Sequence, residues 1–479
     1  MATIASATTP AGTPPASADA RRSPLERLLC LFTDVQPGEG VTAVVMFANV
    51  FLVLCAYYFV KPLRDGWIAA SDVGGFSKME VKAYTSFAQT LVLIPVVAVY
   101  ARLAARWPRR QLIVRSTLFC MSNTLVFWLV RPGAHFGQSA VTGIVFYIWV
   151  GMFGVFVVAQ FWAFAADLYT NERGRRLLPL IAIGATAGAA AGAFLAGKAV
   201  DLGMLESGAL MLGTNVALAA SIGLTAIADA RGPSGAGNEP VVRRATAAPV
   251  TDRRVGAFRM VMGNRYLLAV AGVVLLTHWV NTNGENILFQ VVQEALARDI
   301  VQQQITDPKA VSAFIRAGTT AFYGDYFFWV NVCALALQAM VASRLLKYGG
   351  LGAILLLLPT IALLGAGTMA FLPVLLVVQV MKTAENATNY SINNTAQQVL
   401  WLPTTPAEKY TAKPAIETLC VRLGDGMAAF VVVLGAHVLA FSTRSFLLVN
   451  VALSLGWLLL AVVVVRENRT VVGTAHGPG

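Results

Sequence analysis

The sequence predicts an all-α polytopic membrane protein, and three observations support that prediction. Of its 479 residues, 57% are hydrophobic, only 13% are charged, and the mean hydropathy is +0.66. Soluble domains average about 45–50% apolar and about 25% charged residues. Apolar runs recur along the whole chain at about 20 residues each, the length that crosses a bilayer. A soluble enzyme, a disordered chain and a fibrous protein are therefore poor fits.

Twelve such runs can be counted, and a polar stretch at 229–258, with GPSGAGNEP and paired arginines, separates the sixth from the seventh. We therefore expect two six-helix halves, 41–228 and 259–466, joined by a linker. The predicted spans are 41–63, 85–105, 112–131, 140–166, 177–200, 208–228, 266–290, 322–346, 351–371, 373–396, 414–440 and 444–465.

The ends of the chain are predicted to be cytoplasmic. Residues 1–40 are rich in Ala, Thr, Pro and Ser without a signal-peptide apolar core, which predicts a disordered tail. Residues 467–479 form a second tail. Most Lys and Arg residues fall in loops on the side of the N-terminus, which is the distribution expected for cytoplasmic loops. The net charge of +12 lies in short clusters between apolar runs, so nucleic acid is not an expected partner.

Twelve spans, a cytoplasmic linker and two cytoplasmic termini describe a transporter of the major facilitator type. Its halves are related by an axis along the membrane normal, and helices 1, 4, 7 and 10 line a central cavity. The expected partners are the bilayer and a small-molecule solute, with the monomer as the functional unit. The sequence shows neither a nucleophile–base pair nor a metal-ligand spacing. We therefore expect no enzyme activity, no metal and no cofactor.

The first span ends in the polar residues Tyr57, Tyr58, Lys61, Arg64 and Asp65. An ionisable residue inside a span costs at least about 2.5–3.5 kcal/mol, so it usually faces a cavity or a partner. Lys61 and Asp65 are four residues apart and can pair on one helix face. The group is therefore either an anion-binding cluster or an interfacial anchor in which the basic side chains reach toward water.

The seventh span carries a dense polar stretch that includes Asn281, Gly284 and Glu285. A glycine here can bend the helix and free backbone groups for a ligand. Glu285 is a candidate for coupling, for carrying a proton or for pairing with a cation. The alternative is that this stretch is a helix end in the membrane interface.

The tenth span carries a polar stripe, and the eleventh adds a charged pair. The spacing of the stripe, at 4, 3, 4 and 4 residues, places it on one helix face, where it lines either water or a neighbouring helix. Glu385 flanks the stripe. In the eleventh span, Arg422 is expected to pair with Asp425, either as a lock between the halves or as part of a binding site. The stripe consists of Lys382, Asn386, Asn389, Asn393 and Gln397.

Three segments resemble the ATP:ADP antiporter family of nucleotide exchange transporters, within the major facilitator superfamily. They are YYFVKPLRD at 57–65, FWAFAADLYTNERGRRLLPLIAIGATAGAAAG at 161–192, and the stretch from NYSINNTAQQVLWLP to VRLGDG at 389–426. The resemblance implies a secondary active transporter that exchanges ATP for ADP, or a similar phosphorylated solute, by alternating access. The branch of free-living bacteria implies the bacterial inner membrane.

The resemblance also implies a binding site in which charged residues contact the phosphate and neutral residues contact the base. Positive charge would come from Lys61, Arg64, Lys382 and, if a gap is allowed, Lys82. Tyr57, Tyr58 and Asn389 would contact a base, and Glu285 and Glu385 would pair with the cations when the site is empty.

One departure from the family pattern favours a second function. Gln397 and Gln398 stand where the family has a Lys-Glu pair, which removes charge that would neutralise phosphate. The alternative is a proton-coupled carrier of a different small organic solute, in which Glu285 or Asp65 titrates.

Overall fold

The computed structural model describes residues 23–30, 33, 35–132, 139–169, 171–204, 208–231, 256 and 259–475. Within these ranges the chain is helical and has no β-strand. In the described part of the chain, ten helical stretches are long and apolar enough to cross a membrane. One of them, Pro308–Phe371, covers two predicted spans, which a break at Gly350 (φ 65°) divides. A further helical segment at 375–400 corresponds to the predicted tenth span.

We number the membrane helices α1 to α12 after the predicted spans. Helix α8 continues through a π-helical turn, Gln338–Ala342, and α10 contains a π-helical turn, Asn389–Asn393, followed by Asn394–Leu400. The bounds are α1 Gly40–Ala70, α2 Lys78–Arg106, α3 Arg109–Leu129, α4 Ala140–Leu168, α5 Asn171–Asp201, α6 Ala209–Ala230, α7 Arg265–Gln302, α8 Pro308–Leu337, α9 Ser343–Phe371, α10 from Leu375–Thr388 onward, α11 Pro406–His437 and α12 Thr443–Ala475.

Every predicted apolar run coincides with a helical segment, and most helices extend beyond the run; the run 322–346 continues from α8 through the π-helical turn into the first residues of α9. Helix α7 has 38 residues and is therefore about 57 Å long, well beyond the ~30 Å hydrocarbon core. Its polar C-terminal turns therefore continue past the predicted end at residue 290. Gly284 does not interrupt it: α7 is one helix through that position, which corrects the predicted break.

Local sequence determines where α2 begins. The Ser77 side chain accepts a hydrogen bond from the backbone N–H of Glu80, and the Glu80 carboxylate accepts one from the N–H of Ser77. This reciprocal cap satisfies two N–H groups that the first turn would otherwise leave unpaired. It also places Lys82 little more than one turn into the helix, at a level where it faces the other half.

The buried side chains of the described residues form four clusters. Two clusters of buried side chains draw only on α1–α6 and the segment before α1, and include Phe153 and Leu177. A third draws on α7–α12 and the residues just before α7, and includes Leu267 and Trp457. A fourth cluster is shared between the halves, with Tyr58 on one side and Tyr323 on the other.

The halves contact each other at one end of the bundle, where α1 ends and α2 begins. A β-carbon at Gly66 of α1 would lie 2.2 Å from Oγ1 of Thr320 in α8. A β-carbon at Gly324 of α8 would lie 2.7 Å from the backbone N of Gly197 in α5. At the same end, Nε2 of His437 in α11 lies 2.7 Å from Oε1 of Glu80 in α2. We call this the α1 C-terminal end.

The ends of the chain differ in part from the predicted tails. Pro24–Leu29 form a short helix, and Glu39 binds Arg176 through two hydrogen bonds of 3.0 Å. The described part of the predicted disordered tail 1–40 is thus packed on α5, while residues 1–22 lie outside the described residues. Helix α12 runs into the predicted tail at 467–479, and most of the predicted linker 229–258 lies outside the described residues.

Candidate functional site

The Lys61 ammonium group, on α1, faces aromatic rings of both halves. Its Nζ lies 3.9 Å from the ring centroid of Phe327 in α8, 4.8 Å from that of Tyr58 and 5.8 Å from that of Tyr57. Among the described residues it forms no salt bridge, so the predicted pairing of Lys61 with Asp65 is wrong. The aromatic faces stabilise a desolvated cation by about 2 kcal/mol, less than a carboxylate contact would.

Asp65 instead lies between two other cations. Its carboxylate is 3.6 Å from Nη2 of Arg64 and 3.7 Å from Nζ of Lys82, and the residue is 1% exposed. Among the described residues, neither carboxylate oxygen accepts a hydrogen bond, and Nε of Arg64 is also without a partner. The guanidinium of Arg64 stacks on the ring of Tyr147 in α4 at 4.4 Å. The Asp65 carboxylate therefore lies near the two cations without a hydrogen bond to either. Its oxygens and Nε of Arg64 can still form hydrogen bonds with a ligand.

Lys82 joins the two halves. Its Nζ donates a hydrogen bond of 3.2 Å to the hydroxyl of Tyr323 in α8 and lies 4.4 Å from the ring of Phe289 in α7. The side chain of Lys82 is buried. Lys82 therefore lies beside Asp65 and contacts α7 and α8 at the same time.

Across the interface, α10 contributes a buried ion pair. Nζ of Lys382 lies 2.8 Å from Oε1 of Glu385, one turn along the same helix, and both side chains are almost fully buried. Gly284 of α7 packs directly against this lysine, because a β-carbon there would lie 2.7 Å from Nζ. The structural role of Gly284 is thus to leave room for the lysine.

Glu285 is bound to neutral groups of the same half. Its Oε1 accepts a hydrogen bond of 2.6 Å from Nδ2 of Asn386 and one of 3.2 Å from the hydroxyl of Tyr326. The Asn386 amide also donates to that hydroxyl at 2.6 Å. Oδ1 of Asn386 has no partner. The Asn386 amide and the Tyr326 hydroxyl therefore fix the orientation of the Glu285 carboxylate. Because both groups are neutral, the negative charge of Glu285 can still attract the nearby lysines.

The remainder of the polar stripe on α10 does not continue straight. Nδ2 of Asn393 donates to Oδ1 of Asn389 at 2.8 Å within the π-helical turn, and Gln397 lies beyond it, partly exposed. A π-helical turn adds a residue to the turn and rotates everything after it. The stripe is therefore divided: Lys382 and Asn386 contact residues of α7 and α8, while Asn393 donates its hydrogen bond to Asn389 of the same helix.

The charged pair of α11 lies within one half. Nη1 of Arg422 is 3.6 Å from Oδ2 of Asp425, as expected, and Oδ1 of Asp425 accepts a hydrogen bond of 2.8 Å from Thr282 of α7. Both elements belong to the second half, so these contacts are not the predicted lock between the halves. Asn281 precedes Thr282 on α7, and its buried Oδ1 has no partner.

The sequence analysis did not single out the aromatic residues of α8. The run FYGDYFFW places Tyr323, Tyr326 and Phe327 on the face that meets Lys82, Glu285 and Lys61 respectively. These residues could have been found from the cluster of aromatic residues in the eighth span. They were missed because the expected architecture does not assign this span to the cavity lining. Among the described residues, α1, α2, α7 and α10 contribute seven charged side chains to the contacts above, and we call them the central charged cluster: Lys61, Arg64, Asp65, Lys82, Glu285, Lys382 and Glu385.

Comparisons with known proteins bear on the fold. No protein-family model matches the sequence, and no curated protein sequence matches it. Among solved structures, the nucleoside transporter NupG is similar with a TM-score of 0.60 and 12% identity, over 88% of this chain and 99% of that one.

Two further structures are similar over almost their whole length. The human organic anion transporter MFSD10 has a TM-score of 0.56 and 13% identity, covering 89% of this chain and 100% of that one. A POT family transporter in complex with 5-aminolevulinic acid has a TM-score of 0.59 and 12% identity, covering 90% and 96%. The chain is therefore an all-α polytopic membrane protein with the major facilitator fold.

Proposed function

We propose that this chain is a secondary transporter that binds a small organic anion, of the phosphorylated, nucleotide-like class, at the central charged cluster. The observation that carries the proposal is Lys61: a buried ammonium group between the halves whose described partners are aromatic rings only. A buried charge is costly unless it is paired. A cation that has no carboxylate in the empty protein is a favourable partner for the anion of a solute.

The surroundings of Lys61 support a solute with both an anionic and an aromatic part. Arg64, whose Nε lacks a partner, lies one turn further along α1, and a guanidinium can bind phosphate or carboxylate through two hydrogen bonds. Tyr57 and Tyr58 offer ring faces on which a base can stack. On the other half, the unpartnered amide oxygens of Asn281 and Asn386 can accept hydrogen bonds from an exocyclic amine.

The arrangement of the halves supports transport by alternating access. They are in contact at the α1 C-terminal end, through Gly66 and Thr320 and through Gly197 and Gly324. With both termini cytoplasmic, as the positive charges predict, this contact would close the outer side, and a solute would reach the central charged cluster from the cytoplasm. Rocking of the halves about this cluster would then open the outer side.

Transport of the solute could be driven in two ways, by exchange against a second solute or by coupling to protons, and a different observation favours each. The family resemblance implies ATP/ADP-type exchange. In that case the ion pair of Lys382 and Glu385 would break when the solute binds, and Lys382 would contact the solute instead. The alternative is proton-coupled carriage of a different small organic solute. The buried carboxylate of Asp65, which accepts no hydrogen bond, favours this alternative because an anion on Arg64 and Lys82 would compete with it.

Transport into proteoliposomes tests the proposal and separates its two forms. Purified protein is reconstituted, and uptake of labelled AMP is measured with unlabelled AMP inside, and then with an empty lumen under an imposed pH gradient. Exchange predicts uptake only into loaded vesicles. Proton coupling predicts uptake into empty vesicles in proportion to the gradient. Absence of AMP uptake under both conditions would refute the proposal of a nucleotide-like solute.

A further inference from the structure

The charges of the central cluster limit the charge of the solute. Lys61, Arg64, Lys82 and Lys382 provide four positive groups, and the three carboxylates of Asp65, Glu285 and Glu385 oppose them. With all seven ionised, one positive charge remains.

Two charged groups of the neighbouring helices are not counted in this balance. Arg422 and Asp425 form a pair and add no net charge. Arg316 lies about two turns from Tyr323 along α8 and has an interaction of its own.

Six of the seven groups already have a polar or charged partner. Lys382 and Glu385 are in contact at 2.8 Å, and Glu285 accepts two hydrogen bonds. Asp65, Arg64 and Lys82 form a chain of contacts of 3.6 and 3.7 Å. Lys61 alone is surrounded by rings. The excess positive charge therefore has a definite position, at the level of Phe327 and between α1 and α8.

From this balance we infer that the site is built for an organic anion with a single anionic group, a phosphomonoester or a carboxylate, and not for a di- or triphosphate chain. A phosphomonoester carries about −1.5 to −2 at neutral pH, and each further phosphoryl group adds about one more negative charge. A single group leaves the occupied site near neutrality, whereas a triphosphate would leave several uncompensated negative charges away from water. The neutral remainder of the solute would contact Tyr57, Tyr58 and the unpartnered amides of α7 and α10.

This inference rests on the proposed function and narrows it: the anion site is kept, and exchange of a solute with one anionic group takes the place of ATP/ADP-type exchange. The test separates the inference from the function. Reconstituted protein is assayed by counterflow in magnesium-free buffer with labelled adenosine, AMP, ADP and ATP, and with gluconate and a hexose monophosphate. The expected order of kcat/KM is AMP above ADP above ATP, with AMP at least about tenfold above ATP. Comparison of gluconate with the hexose monophosphate distinguishes a carboxylate from a phosphomonoester as the anionic group.

Changing the charge of the cluster should change that order. Glu385→Gln keeps the shape of the side chain but raises the net charge of the cluster from +1 to +2, which favours the more negative ADP. We therefore expect kcat/KM for ADP, divided by kcat/KM for AMP, to increase by about tenfold. Glu417→Gln, a partly exposed carboxyl of α11 near Lys413, is the matched control and should leave the ratio unchanged. Should Glu385→Gln fail to fold, the wild-type order decides the question alone.

The outcomes are distinct. ADP or ATP transported as well as AMP or better would overturn the single-charge inference while leaving the transport function in place. Transport of adenosine but of no anion, or of no solute in the panel, would overturn the proposed function and this inference with it.

Discussion

Gly284 of α7 lies against the ammonium group of Lys382 in α10, so that a β-carbon at position 284 would be 2.7 Å from Nζ. This contact joins the two helices that carry Glu285 and the Lys382–Glu385 pair. It also explains why a glycine occurs in the middle of an uninterrupted 38-residue helix, where it costs about 1 kcal/mol relative to alanine. Here the absent side chain provides the volume that the lysine occupies.

Gly284→Ala should therefore displace Lys382 and weaken its contact with Glu385. Because the atom in the way is the end of a flexible side chain, we expect a small change in melting temperature but a loss of about tenfold or more in kcat/KM. Gly367→Ala is the control, since a β-carbon at Gly367 of α9 has nothing within 4 Å. Equal effects of the two substitutions on transport would contradict this role of Gly284.

Lys61→Met should separate stability from function. Methionine keeps the contact with Phe327 but removes a buried ammonium group that has no carboxylate partner. Replacing buried ionic groups by apolar ones is often neutral or stabilising by about 1–4 kcal/mol. We expect a melting temperature no lower than that of wild type, measured by differential scanning fluorimetry in detergent, and a fall of about a hundredfold in kcat/KM. A clearly lower melting temperature would show that Lys61 is mainly structural.

The Lys382–Glu385 pair should behave in the opposite way. Removing one partner leaves the other charge buried and uncompensated, which costs about 3–5 kcal/mol. Lys382→Met and Glu385→Leu should each lower the melting temperature strongly, and the double variant should recover most of the loss. The double-mutant cycle measures the coupling directly. Additive losses would mean that the 2.8 Å contact contributes no coupling energy.

Gly324→Ala tests the contact that closes the α1 C-terminal end. A β-carbon there would lie 2.7 Å from the backbone N of Gly197, and a backbone atom, unlike a lysine terminus, cannot move alone. Helices α5 and α8 must therefore separate, at a cost of about 1–3 kcal/mol. In a chain whose five native cysteines are replaced, a probe cysteine at Ala193 should react faster with a hydrophilic thiol reagent when Gly324→Ala is present. An unchanged labelling rate would contradict a closed contact at this end.

Most of the fold could be predicted from the sequence because its signals are local. Apolar length determines each span, and the capping box of Ser77 and Glu80 or the Pro after Thr405 determines where a helix begins. The polar residues of spans 1, 7 and 10 were also visible, since a charged side chain in an apolar run stands out. Lys61, Glu285 and Lys382 were found in this way.

The partners within the site could not be predicted, because they depend on contacts between distant helices. The spacing of Lys61 and Asp65 favoured a pair along one helix, yet Lys82 of α2 and the adjacent Arg64 are the cations nearest to Asp65. The π-helical turn at Asn389–Asn393 rotates the end of the polar stripe, and the helical spacing of the sequence contains no sign of it. The aromatic partners from α8 belong to a span that the expected cavity lining leaves out.

The most direct test of the account is whether an anion stabilises the protein through Lys61. Detergent-purified wild type, Lys61→Gln and Lys198→Gln are melted over a series of AMP concentrations. Lys198 is an exposed lysine of α5 paired with Asp201, and it serves as the control. Ligand stabilisation grows as the concentration exceeds the dissociation constant. We predict that AMP raises the melting temperature of wild type and of Lys198→Gln but not that of Lys61→Gln. An equal rise in all three proteins would contradict the assignment of Lys61 as the anion-binding residue.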